Sequence, residues 1–180
     1  IPKEYPLDLA PLYGCAITTG FGVIENNAQI KMGQSLVIFG SGGVGLNIIQ
    51  AAKLRGAFPI IAVDLFDKRL ELAQKFGADY VFKGSDLDIL SENILSAAGE
   101  DGIDVIVDNT GQPEIISKSY ELTKPKGKII LVGVPRIGQK TSIYTLPIHF
   151  GKKLIGSHGG EASPHEDISR FMKIEERGYF

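Results

Sequence analysis

Leu36-Val37-Ile38-Phe39-Gly40-Ser41-Gly42-Gly43-Val44-Gly45 is the stretch on which the reading of this chain turns. Four consecutive apolar residues with no polar alternation are what a strand buried on both faces requires. Gly40 ends the run, and Val44, Ile48, Ala51, Ala52 and Leu54 then recur at helical spacing as far as Gly56. Between strand and helix lies Gly40-x-Gly42-x-x-Gly45, with Gly43 and Val44 inside it. Each glycine has a physical task there. Gly40 permits a tight turn, Gly42 lets a ligand approach bare backbone, and Gly45 lets helix and strand pack closely. The helix start offers unpaired N–H groups and the positive end of its dipole, which suits phosphate. With 22 glycines in the chain the pattern alone is weak, and its place between strand and helix gives it weight.

The next strand is Ile60-Ile61-Ala62-Val63, and Asp64 closes it 19 residues past Gly45. A carboxylate at that point accepts hydrogen bonds from an adenosine ribose, each worth about 1.5–3 kcal/mol. A 2′-phosphate would meet like charge there, so the expected cofactor is NAD and not NADP. The alternative role for Asp64 is a strand-end residue that caps the following helix. A methyltransferase also places a glycine-rich turn and an acid at these two points, although its loop usually departs from this spacing.

Strand and helix keep alternating. A helix from Lys68 to Phe76 stops at Gly77, and Tyr80-Val81-Phe82 is a short strand. Leu87 to Ala98 is a helix, Val105-Ile106-Val107 a strand, and Glu114 to Leu122 a helix. Lys128 to Val132 and Leu154-Ile155 supply two more strands, and Asp167 to Glu176 a last helix. Such alternation predicts an α/β fold: a doubly wound, six-stranded parallel Rossmann sheet of order 3-2-1-4-5-6. Residues 1–34 read differently, as a short helical leader before a dinucleotide-binding domain at 35–180. In the leader, Leu7 to Tyr13 looks helical, and Thr18 is placed to cap a second helix carrying Phe21, Val23 and Ile24.

Composition narrows the classes of function. At 43 % hydrophobic and 22 % charged residues the chain is ordinary globular material. A net charge of −2 gives no field for nucleic acid or anionic lipid, and no apolar run approaches a membrane span. A lone cysteine allows no internal disulfide and fits a reducing compartment. With Ile1-Pro2-Lys3-Glu4 at one end and Gly178-Tyr179-Phe180 at the other, the expectation is a domain cut from a larger cytoplasmic protein.

Gly14-Cys15-Ala16-Ile17-Thr18-Thr19-Gly20, with the cradle 20 residues on, resembles the zinc-containing medium-chain alcohol dehydrogenases. The resemblance continues through Ile60 to Asp64, Leu72-Ala73-x-x-x-Gly77-Ala78 and Val132-Gly133-Val134-Pro135, and so covers nearly the whole chain. It is specific to the superfamily and picks out no single member. It implies that Cys15 is one ligand of a catalytic zinc completed by a cysteine and a histidine from a separate catalytic domain. The full enzyme would pass hydride between an alcohol or aldehyde and NAD, and this chain alone would be inactive. The resemblance also places Thr19 near the nicotinamide ring, and Thr110 and Gly111 at the adenosine side. It sets Val132, Gly133 and Val134 by the nicotinamide ribose, Ser157 by the carboxamide, and Arg69 near the adenosine, with a solvated helix face as the alternative for Arg69. It implies a homo-oligomer formed through the sheet edge near Ser142 to Ile155. His149, His158 and His165 show no metal-ligand spacing, though His158 could lie near the nicotinamide. Zinc-free quinone and enoyl reductases share the fold and cofactor, and Cys15 speaks against them. A stand-alone NAD-sensing module is the remaining alternative.

Overall fold

The computed structural model of the chain describes residues 2, 3 and 5–180. Strand β1 (Leu36–Phe39) buries all four side chains, as its unbroken apolar run demands. Helix α3 (Gly43–Leu54) follows, after the leader helices α1 (Ala10–Gly14) and α2 (Ala16–Gly22). Then come β2 (Ile60–Asp64), α4 (Asp67–Phe76), β3 (Tyr80–Lys83), α5 (Leu87–Ala98) and β4 (Ile103–Asp108). The chain ends with α6 (Pro113–Leu122), β5 (Thr123–Leu131), α7 (Leu146–His149), β6 (Lys153–Gly156) and α8 (Pro164–Glu175). The six strands form one sheet in the order β3-β2-β1-β4-β5-β6, and every pairing is parallel. Both features match the expected fold. Successive side chains of a strand face opposite ways, so Leu36 and Ile38 join one apolar cluster while Val37 and Phe39 join the other.

The leader is built into the first of these clusters. Ile17, Phe21, Val23, Ile24 and Ala28 are buried with Leu36, Ile48 and Phe171. The Phe21 ring lies 4.9 Å from that of Phe171 and 4.7 Å from that of Phe180. Arg170 of α8 grips Glu25 through two hydrogen bonds of 2.7 and 2.8 Å. The hydroxyls of Tyr5 and Tyr13 both donate to Glu175.

Several boundaries differ from expectation for identifiable reasons. Thr18 caps nothing: it lies inside α2 and donates its hydroxyl back to the Cys15 carbonyl at 3.2 Å. The break comes at Cys15, whose φ of −147° and ψ of −66° separate α1 from α2. The first helix begins at Ala10, three residues later than Leu7. Past α2 the chain widens into a π-helical turn over Val23–Ala28, ended by Gln29 at φ +50°. Strand β5 starts at Thr123, five residues early, because Thr123 pairs with Ile103 before a bulge brings Lys128 opposite Val105. It ends at Leu131, although the Val132 N–H still reaches the Asp108 carbonyl. Helix α8 begins at Pro164, since Pro suits a first turn and Asp167 accepts the Ser163 N–H at 2.8 Å. The short α7 carried no sequence signal.

Candidate functional site

The carboxyl ends of the strands form one rim, which is where ligands bind in sheets of this kind. Gly40 turns off β1 at φ +92°, a conformation glycine adopts without strain. A Cβ on Gly45 would lie 2.1 Å from the Gly40 carbonyl oxygen, so α3 starts in direct contact with the turn. A Cβ on Gly42 would meet nothing within 4 Å. One glycine allows packing and the other leaves open backbone, as the sequence predicts. The Gly42 N-cap receives no side-chain cap, so the first N–H groups of α3 are free to meet a ligand.

Gly40, Gly42, Gly43, Val44, Gly45, Asp64, Arg69 and Thr110 line one groove of about 680 Å³. Asp64 is nearly buried. Its Oδ2 accepts the Ser41 N–H at 2.8 Å, and its Oδ1 accepts the Phe66 N–H at 3.0 Å. Asp64 thus braces the turn into α4 without capping that helix, and it borders the groove. Arg69 stands with Nη1 3.5 Å from Asp64 Oδ2 and its guanidinium over the Phe66 ring. Half exposed, it adds little to stability.

The other expected residues continue the rim without lining that groove. Gly111 (φ +66°) packs against Val134 and Pro135, and a Cβ on Gly133 would lie 2.4 Å from the Gly111 nitrogen. The turn at 132–134 thus rests on the turn at 109–111. The Ser157 N–H donates to the Leu131 carbonyl at 2.8 Å, which adds the turn after β6 to the row. Buried Thr19 faces that last turn, its carbonyl 2.5 Å from where a Cβ on Gly160 would sit. His149, His158 and His165 are all exposed.

Three residues of the rim went unremarked in the sequence. Asn109 donates its Nδ2 to the Gly40 carbonyl at 3.1 Å, while its Oδ1 is buried without a partner, as is the Ser41 hydroxyl. Orphaned polar atoms beside an open cradle fit a site shaped for a polar ligand. Asp108, fully buried, accepts from Thr110 N–H and Oγ1 at 2.9 and 2.6 Å and from Gly111 N–H at 3.0 Å. Burial pushes its carboxyl above the usual range, and those donors offset only part of the rise. The signal was available: Asp-Asn-Thr-Gly after an apolar strand is turn chemistry in which Asp binds the backbone ahead of it.

Cys15 is exposed, and among the described residues no three His, Cys, Asp or Glu side chains gather to hold a metal. These residues by themselves do not make a zinc site. A larger hollow of about 760 Å³ lies at the opposite end of the sheet, lined by Leu95, Leu122, Pro125, Phe150 and Lys152 among others. It contains none of the expected site residues. No helix of the described residues is long and apolar enough to cross a membrane.

Residues 43–175 match the family model described as zinc-binding dehydrogenase. The chain belongs to this family. It is 34 % identical to S-(hydroxymethyl)glutathione dehydrogenase of Saccharomyces cerevisiae, over 99 % of the chain and 47 % of that protein. The crystal structure of benzyl alcohol dehydrogenase from Acinetobacter calcoaceticus superposes with a TM-score of 0.92 at 32 % identity, covering 100 % of this chain and 49 % of that one. A Sinorhizobium meliloti 1021 structure bound to NADP superposes with a TM-score of 0.81 at 27 % identity, covering 97 % of this chain and 51 % of that one. This zinc-binding dehydrogenase chain thus spans about half the length of the relatives it matches.

Proposed function

We propose that this chain is the NAD(H)-binding domain of an alcohol dehydrogenase, with residues 1–34 forming the junction to a catalytic domain. One observation carries the reading: open Gly42 backbone, the uncapped start of α3 and Asp64 meet in a single groove. The pyrophosphate would lie on the α3 N-terminus, where N–H groups and the helix dipole favour negative charge. The adenosine ribose would reach Asp64, and the nicotinamide half would follow the rim past Gly111, Val132, Gly133 and Val134 to Ser157 and Thr19. When bound, the dinucleotide supplies the hydride acceptor or donor for an alcohol or aldehyde. The chain's own part is to hold and orient it. That the Sinorhizobium meliloti structure is bound to NADP supports a dinucleotide as the ligand class, and the preference for NAD rests on the Asp64 carboxylate.

Parallel titrations with NADH and NADPH test this. The chain has no Trp, so cofactor fluorescence can be followed without protein-to-cofactor transfer from that residue. NADH should bind at least about tenfold tighter than NADPH, the size of one charged hydrogen bond lost. Asp64→Ala should bring the two affinities together. An unchanged preference in the variant would remove Asp64 from the ribose site. Saturable binding of S-adenosylmethionine instead of either cofactor would overturn the dehydrogenase reading.

Two further parts belong to the same proposal. Cys15 would contribute one ligand to a zinc whose other ligands lie outside this chain, and bound zinc in a full-length Cys15→Ala enzyme checks it. Homo-oligomers would form through β6, the sheet edge, flanked by exposed Tyr144, Ile148 and Phe150. Sedimentation should show an oligomer that Ile148→Glu with Phe150→Glu converts to monomer; a wild-type monomer at all concentrations would refute it.

A further inference from the structure

The turn at 157–161 is held from across the molecule by two side chains of the π-helical turn. Asn27 Oδ1 accepts the Ser157 hydroxyl at 2.7 Å. That hydroxyl in turn accepts the Gly160 N–H at 3.1 Å. The hydroxyl's single proton is directed to Asn27 Oδ1, so position 27 presents an acceptor. Asn26 does the reverse. Its Nδ2 donates to the carbonyls of Gly160 and Glu161 at 2.9 and 3.1 Å, so position 26 must present a donor.

The turn depends on such outside support. Gly159, Gly160 and Glu161 all have positive φ, of 60°, 71° and 50°, and Glu161 is no glycine. Backbone in sparsely populated regions persists where surrounding contacts over-determine it, most often at functional sites. Here the contact is also steric: a Cβ on Gly22 would lie 2.4 Å from the Gly160 carbonyl oxygen. π-helical segments are rare and concentrate where function needs a side chain displaced from α-helical register. In this one, Glu25 reaches back to Arg170 on α8 while the next two residues reach forward to the turn.

We propose that Asn26 and Asn27 are positioning residues that set the 157–161 turn against the nicotinamide half of the cofactor. The inference rests on the proposed dinucleotide function. The pair lies away from the groove that holds Gly42 and Asp64, so only the nicotinamide half should register its loss.

Binding of NADH and of ADP-ribose, which lacks only the nicotinamide, tests this on the same chain. Asn26→Leu and Asn27→Leu should each weaken NADH about fivefold, the scale of one hydrogen bond, with ADP-ribose unchanged. The fluorescence gain of bound NADH should fall with them. Conservative variants carry the chemistry: Asn27→Asp keeps the acceptor and should retain NADH affinity, whereas Asn26→Asp loses the donor and should not. Equal weakening of NADH and ADP-ribose, with a lowered Tm, would make the pair purely structural. NADH affinity unaltered in every variant would detach the turn from the nicotinamide. A wild-type chain that binds neither ligand would overturn the dinucleotide reading, and this inference with it.

Discussion

Gly45→Ala is expected to lower the Tm by roughly 6–12 °C and to abolish NADH binding. The added methyl would sit 2.1 Å from the Gly40 carbonyl oxygen and 3.1 Å from its carbon. Both are backbone atoms of a turn whose N–H is tied to the Val63 carbonyl at 2.8 Å. They have nowhere to move. Overpacking costs about 1–3 kcal/mol where neighbours can adjust, and a rigid backbone neighbour puts this site at the upper end. For a domain of this size each kcal/mol is worth about 2–4 °C. Gly42→Ala is the control. Its Cβ would meet nothing, and φ is −76°, which any residue adopts. Stability should change by less than about 0.5 kcal/mol, yet the methyl would stand where the pyrophosphate approaches, and binding should still be lost. Scanning calorimetry and NADH titration on both variants separate the two glycines. A Gly45→Ala protein as stable as wild type would refute the packing argument, and undiminished binding by Gly42→Ala would refute the cradle.

Asp108→Ala should be the most damaging change outside the glycines, with a loss of about 3–5 kcal/mol. The side chain is fully buried, and its removal leaves two backbone N–H groups and the Thr110 hydroxyl without their acceptor. Those donors shape the turn on which Gly133 rests, so the groove should deform with the loss. The same residue predicts a pH dependence. Because burial holds its pKa above the ordinary value, at pH between the two values the folded chain keeps a proton that the unfolded chain has released. Its contribution to stability is therefore complete below about pH 3.9, the usual carboxylate value, and declines as pH rises through the raised one. Asp108→Asn does not titrate. The Tm of wild type relative to that of Asp108→Asn should be highest at the acid end and fall as pH rises through the raised pKa. A wild type that gains on the variant as pH rises would contradict the sign.

Much of the fold was legible because its signals are short-ranged. Leu36 to Phe39 and Ile60 to Val63 announce buried parallel strands by composition, and Gly77 stops α4 in the left-handed conformation glycine favours, at φ +118°. Alternation and handedness gave the parallel sheet, and its strand order followed from the Rossmann pattern that the glycine turn announces. The cradle was legible for the same reason: its three glycines and the helix they open lie within one turn of chain. Elements whose reason lies elsewhere were misread. Pro125 and Gly127 make residues 123–127 look like a loop, yet Thr123 pairs with Ile103 on the far side of α6. Thr18 looks like a cap, but the apolar face it shares with Ile17 and Phe21 carries the helix past it.

The sequence by itself thus determined the sheet, the glycine turn that opens α3 and the acid beside it, since each follows from residues close along the chain. Only the tertiary structure decided that Asp64 also braces Ser41 and that Asn109 reaches Gly40. It alone showed Asn26 and Asn27 gripping a turn 130 residues or more away. Such bonds leave no periodicity or composition in the sequence, because the partner is chosen by folding and not by spacing.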